Sequence, residues 1–259
     1  MNDHDFLPDD RMPYPRVCAH RGFSDLLPEN SLIAFGAALA AGVHEIETDV
    51  WASKDGVLVL CHDPNLERIA LHQTGVVKNL GYNEILQADI GSKKSLLLKG
   101  LNVINLDELL SLNNNRAVVN MHIKSPDPEK GYPRETFRKI IETIDRYKSR
   151  RHVYISGAAD VLKTAMEEAP DITRCCLERN ETPDIVDNAI KYKCKKLQFL
   201  FKYTREAIDK AHKNGIVCNY CCTEDPEEAR KLFELGIDTV LTNSAWLITQ
   251  AWKQFYKTG

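Results

Sequence analysis

Eight short apolar runs of β character, each followed by a stretch of helical character, constrain this chain more than any other feature of its sequence. The runs lie at 17–20, 45–50, 118–123, 153–156, 173–177, 197–200, 217–220 and 239–242. The helical stretches lie at 31–41, 106–112, 134–148, 159–168, 183–191, 205–213, 226–235 and 245–256. Start and stop signals support them: Thr204 and Asp225 as N-caps, Pro226 at a first helical position, and Gly215 and Gly236 where helices end. A strand that returns through a helix pairs in parallel with its neighbour. Eight such units in 259 residues predict closure into an α/β barrel of the (β/α)8 TIM type. An open doubly wound sheet would carry a glycine-rich first turn, but that turn reads His20-Arg21-Gly22-Phe23.

One interval breaks the rhythm. About 60 residues separate the second and third runs, more than one helix and two loops need. It holds the turn signal Asp55-Gly56, an extra strand at 57–61 and then His62-Asp63. The remainder, to Gly100, has little apolar periodicity and reads as a cap over one end of the barrel. With no repeat or linker, the expectation is one domain over 1–259, with 52–105 as its insertion.

Composition excludes several roles. Lys+Arg is 34 against 37 Asp+Glu, so the basic excess of a phosphate-neutralising nucleic-acid binder is missing. No apolar run approaches the ~18 residues of a membrane span. The acidic, proline-punctuated N-terminus does not resemble a signal peptide, which makes the cytoplasm the expected location. The eight cysteines are expected as buried or half-buried free thiols. Cys218 and Cys221 form a CxxC, but on a strand and without the second pair that a zinc site wants.

In a (β/α)8 barrel the reactive groups sit at the C-terminal ends of strands. Those ends here read His20-Arg21-Gly22, Glu47-Thr48-Asp49, His62-Asp63 and His122-Ile123-Lys124. Glu47 and Asp49 are two apart and share one strand face. Two carboxylates so close do not both ionise without compensation, and a divalent cation is the simplest compensation. Oxygen donors favour Mg2+, Ca2+ or Mn2+. His20 and His62 are the candidate proton-transfer groups. Arg21 offers a planar fork for phosphate and Lys124 adds a second cation. His44 and His72 are expected at the surface. With no nucleophile elbow, Walker loop or HExxH motif, the set points to acid–base cleavage of a phosphodiester.

The ordered motifs His20-Arg21-Gly22, Pro28-Glu29-Asn30-Ser31, Gly42, Glu47-x-Asp49-Val50, Asp55-Gly56, His62-Asp63 and Leu66-x-Arg68 resemble those of the glycerophosphodiester phosphodiesterase family. The likeness continues through Leu106-Asp107-Glu108 and Gly236-Ile237-Asp238 to Asn243. It implies the distorted barrel of phosphoinositide-phospholipase-C-like phosphodiesterases and hydrolysis of a small glycerophosphodiester to glycerol 3-phosphate and an alcohol. It further implies one divalent cation held by Glu47 and Asp49, an acid–base pair at His20 and His62, and phosphate binding by Arg21 and Lys124. Three positions depart from the family pattern. His122 stands where the third metal-ligating glutamate is usual, Tyr220 where an inward tryptophan is expected to line the alcohol pocket, and Asn243 where the family has aspartate. Two alternative functions follow. One is a lysophospholipase D, with Leu96-Leu97-Leu98 as an apolar lip; the other is a non-catalytic binding protein on the same barrel.

Overall fold

The computed structural model of the protein describes residues 4–177 and 184–256. Among these residues nine strands form one sheet: β1 (Arg16–His20), β2 (Glu45–Ala52), β3 (Leu58–Leu60), β4 (Val118–Ile123), β5 (Val153–Gly157), β6 (Thr173–Cys176), β7 (Lys196–Phe199), β8 (Val217–Cys221) and β9 (Thr239–Thr242). Neighbours run β1-β9-β8-β7-β6-β5-β4-β2-β3, and β1 also pairs with β2. Eight parallel strands therefore close on themselves, as the alternation predicts. The ninth, β3, runs antiparallel to β2 beyond the barrel rim, with Val50 opposite Leu60 and Ala52 opposite Leu58.

The helices are α1 (Leu32–Ala41), α2 (Tyr82–Ile85), α3 (Leu106–Asn113), α4 (Arg134–Arg146), α5 (Ala159–Glu168), α6 (Asp184–Lys191), α7 (Arg205–Lys213), α8 (Pro226–Leu235) and α9 (Ala245–Tyr256). The expected start of the α6 helix at Pro183 lies outside the described residues. Thr204 caps α7 through Ala207 N–H, and Asp225 caps α8 through Glu227 N–H. On α4, Phe137, Ile140, Ile141 and Ile144 are buried, the spacing of one helical face. Each such side chain contributes roughly 1.5–3 kcal/mol when fully buried. On the strands the period is two: Val119, Met121 and Ile123 of β4 join the apolar layer beneath the helices. Asn120, between them, bonds Gln198 inside the barrel at 3.1 Å.

The barrel floor is polar and closed. Arg16 Nη1 binds Glu45 at 2.7 Å and Asp9 at 2.6 Å, and Lys196 Nζ binds Asp9 at 2.8 Å. Tyr154 donates its hydroxyl to Glu45 at 2.6 Å. Asp9 belongs to the segment before β1, in which Met12 packs against Val118, Tyr154 and Cys175. These buried charges are tolerable because each is paired and hydrogen-bonded.

Two expectations need correction. His44 is buried, not at the surface: its ring stacks on His4 at 4.4 Å and meets the edge of Trp252 at 4.3 Å. The insertion also has more apolar order than its periodicity suggested. Trp51, Val59, Leu66, Ile69, Val77, Ile85, Ile90 and Val103 form a second core, separate from the main one. Apart from Trp51 on β2, Val59 on β3 and Ile85 on α2, these residues come from loops and short turns, so no regular period advertises them.

Candidate active site

The first turn after β1 is shaped by backbone geometry. Arg21 and Gly22 both have positive φ, 56° and 82°. A Cβ on Gly22 would lie 2.7 Å from the backbone carbon of Ala34, so only glycine fits there. The turn aims Arg21 N–H at the Glu47 carbonyl, 3.0 Å away, and at the Glu47 carboxylate, 3.1 Å away. It also brings Asn30 into place, whose N–H donates to the Arg21 carbonyl at 3.0 Å.

On β2 the alternation sends Glu47 and Asp49 into the barrel mouth, both buried. Asp49 is surrounded by cationic and donor groups: Lys124 Nζ at 2.9 Å, His122 Nδ1 at 3.2 Å, Arg21 Nε at 3.3 Å and Asn30 Nδ2 at 3.1 Å. Against the cost of burial, Lys124, His122 and Arg21 hold its carboxyl well below the usual carboxylate range. Glu47 goes the other way. Burial and then the neighbouring Asp49 charge push it well above that range.

The two histidines differ in what orients them. His20 Nδ1 lies 2.8 Å from Asn243 Oδ1. The Asn243 amide nitrogen donates to the Glu224 carboxylate at 2.6 Å, which fixes the amide with its oxygen toward His20. Nδ1 must then donate, leaving the lone pair on Nε2, 3.9 Å from Glu47 Oε2. Burial, helped by the Arg21 charge, pushes His20 down to about 4, so the ring is neutral. His62 Nδ1 instead lies 2.6 Å from an anion, Asp63 Oδ1. Burial lowers His62 as well, opposed by Asp49 and Asp63.

Asp63 binds Arg68, Arg68 grips Glu29 with two nitrogens at 2.6 and 2.7 Å, and Glu29 binds Arg21 at 3.2 Å. This run of ion pairs joins the extra-strand loop to the β1 turn. His20, Arg21, Ser24, Glu29, Lys94, Glu224 and Asn243 line a cleft of about 390 Å³ beside the group.

Glu47, Asp49 and His122 offer ligand atoms within 4.8 Å of one another. Two buried carboxylates, one of them raised by the charge of the other, beside an imidazole that burial and Lys124 push down to about 4, form a donor set that fits a divalent cation.

The structure thus brings His20, Arg21, Glu47, Asp49, His122 and Lys124 into one group, with His62 tied to it through Asp63 and Arg68. It does not bring Tyr220 there. Tyr220 faces the helix layer, edge-on to Tyr203 at 5.3 Å, because the inward positions of β8 are Asn219 and Cys221. Glu29, Asn30, Asp63 and Arg68 carry the frame of the site; they were legible only as motif letters, and Glu224 gave no signal at all.

The model described as the glycerophosphoryl diester phosphodiesterase family matches residues 20–246. The chain belongs to this family of phosphodiester hydrolases. A glycerophosphodiester phosphodiesterase of Caldanaerobacter subterraneus subsp. tengcongensis is 28% identical over 235 residues, covering 88% of this chain and 93% of that one. One from Bacillus altitudinis is 25% identical over 233 residues, covering 88% and 94%. Among solved structures, an Oleispira antarctica phosphodiesterase in complex with its product sn-glycerol-3-phosphate aligns with TM-score 0.83 at 23% identity, over 93% of this chain and 97% of that one. A glycerophosphodiester phosphodiesterase of Agrobacterium tumefaciens aligns with TM-score 0.75 at 23% identity, over 90% and 99%. The closed barrel with β3 bonded to β2 is the TIM barrel of this family.

Proposed function

We propose that the protein hydrolyses small glycerophosphodiesters to glycerol 3-phosphate and an alcohol by acid–base catalysis between His20 and His62. The observation that carries this reading is the unequal support of the two rings. A neutral amide, Asn243, orients His20, whereas a carboxylate, Asp63, backs His62. The first arrangement suits a base; in the second the carboxylate favours the protonated ring against the burial that lowers it, as an acid requires. The product seen in the Oleispira antarctica phosphodiesterase agrees with this chemistry.

His20 Nε2 takes the proton of the substrate's 2-hydroxyl, and that oxygen attacks phosphorus. The bond to the leaving alcohol breaks, and protonated His62 gives that oxygen its proton. The product of this step is a cyclic phosphate. In the second step His62, now neutral, takes a proton from water. The water oxygen opens the ring, and His20 returns its proton to the 2-oxygen. Arg21 and Lys124 bind phosphate oxygens throughout and stabilise the negative charge that grows on them. Glu47, Asp49 and His122 would hold one divalent cation, Mg2+, Ca2+ or Mn2+, which would supply further charge stabilisation when bound.

The test is release of glycerol 3-phosphate from glycerophosphocholine with each ion and with EDTA. His20→Ala and His62→Ala should each lower kcat at least a hundredfold. Normal turnover in either variant would remove that ring from the mechanism, and no turnover by the wild type with any of the ions would favour a binding protein instead.

One observation supports a second reading, lysophospholipase D. Leu96 and Leu97 do not pack inward but are 78% and 96% exposed on the insertion. Lys94, two residues away, lines the active cleft. A higher kcat/KM for the lysolipid than for glycerophosphocholine would select this reading.

A further inference from the structure

β8 ends inside the barrel mouth on Cys221, and Cys222 follows it. Both thiols lie beside His20, which β1 delivers from the neighbouring side of β9. One ligand atom from each of the three residues falls within 4.8 Å of the others. All three residues are half-buried, and His20, with the neighbouring Asn243 and Glu224, lines the cleft. For zinc–sulfur bonds of about 2.3 Å, tetrahedral ligands stand roughly 3.8 Å apart, a separation of the same order as that seen here.

Their existing bonds leave the sulfurs available. Outside the pair, Cys222 Sγ accepts a long, weak contact from Asn243 Nδ2 at 3.9 Å. A second cluster, His212, Cys218 and Asp238, differs in this respect. There Asp238 Oδ2 already binds His212 Nε2 at 2.9 Å and Cys218 N–H at 2.7 Å, which accounts for the cluster without an ion.

We propose that His20, Cys221 and Cys222 form a second metal site, specific for soft divalent ions such as Zn2+ or Cd2+, and that its occupation shuts off the hydrolase. The donor chemistry separates it from the neighbouring group. Two carboxylates and an imidazole suit a hard ion, whereas two thiolates and an imidazole suit a soft one. Binding balances as two thiol protons released for one M2+ bound, leaving a neutral centre with no redox change. A neutral imidazole has a single lone pair. The soft ion and the substrate's hydroxyl proton compete for it, so one bound ion removes the base. This inhibitory consequence rests on the proposed role of His20; the binding itself does not.

The experiment titrates the full-length protein with Cd2+ while excess Mg2+ occupies the oxygen donors. One equivalent should bind with a thiolate-to-metal charge-transfer absorption, and X-ray absorption of the Zn2+ form should show two sulfurs and one nitrogen. Cys221→Ser and Cys222→Ser should each weaken binding at least tenfold and diminish the band, while Cys218→Ser should leave both unchanged. In the diesterase assay, micromolar Zn2+ should inhibit the wild type reversibly on chelation, and Cys221→Ser should resist it at least tenfold. Absence of the band in the wild type, or a band that survives both serine variants, overturns the site. A band without inhibition keeps the site but overturns its competition with His20. A protein that shows the band but no diesterase activity at all supports the metal site while failing the hydrolase reading.

Discussion

At the scale of single residues, the placement of Asn243 sets the protonation behaviour of the site. Its oxygen accepts from His20 Nδ1 without offering a negative charge, and burial and the Arg21 charge outweigh what that bond does for the imidazolium. Asn243→Asp puts an anion in that place. The expected result is a His20 pKa raised from about 4, seen as an acid limb of the kcat/KM–pH profile that moves to higher pH by about one unit or more. An unmoved acid limb would mean that another group sets it. The sequence made His20, Arg21, Glu47, Asp49, His62 and Lys124 visible because strand ends and parity place them. It did not reveal Glu224, whose effect on His20 passes through the Asn243 amide and therefore exists only in three dimensions. The expectation for Tyr220 failed by one position. On a strand a one-residue shift exchanges the barrel face for the helix face, and Cys221 holds the inward place.

At the scale of elements, the strand and helix periods were strong enough to predict all eight barrel strands and the closure. What the periods could not show was the floor and the insertion. Asp9, Arg16, Glu45 and Lys196 read as scattered charges and become a unit only when β1, β2 and β7 meet. The β1 turn is the element on which the site depends most. Gly22→Ala combines a strained positive φ with a Cβ 2.7 Å from the Ala34 backbone, so α1 or the turn must move. The expected outcome is a destabilisation of roughly 1–3 kcal/mol, read as a lower midpoint in denaturant. With Arg21 displaced, a loss of activity greater than tenfold should accompany it. A variant with wild-type kcat/KM would show that the turn does not position Arg21.

For the molecule as a whole, the buried histidines couple folding to pH. His20 and His122 are held near 4 in the fold against an ordinary 6.5, and His62 is lowered too. Between pH 6.5 and 4 the unfolded chain therefore binds more protons at these rings than the native one. Stability from them is complete above 6.5 and is lost as pH falls toward 4. Glu47 opposes this, because its raised pKa makes its own contribution fall as pH rises above 4.5. The rings and Glu47 thus pull in opposite directions across this range, with His20 and His122 carrying the acid-side loss. In EDTA the melting temperature should fall from pH 7 to pH 5, and Glu47→Gln, which removes the opposing titration, should make the fall steeper. A melting temperature that holds or rises on acidification would mean that the rings are already charged in the fold.

Under the proposed function, the ion-pair run from Asp63 through Arg68 and Glu29 to Arg21 would make substrate admission and phosphate grip a single variable. Swinging the insertion outward to admit a bulky alcohol would detach Arg68 from Glu29, leaving Arg21 as the one partner of that carboxylate in the run. Grafting a relative's insertion onto this barrel would meet the same condition, since the newcomer must bring a guanidinium to that spot. Sequence change in the insertion is thereby steered toward its outer turn around Leu96 and Leu97, where exposed side chains can change without disturbing the anchor of Arg21.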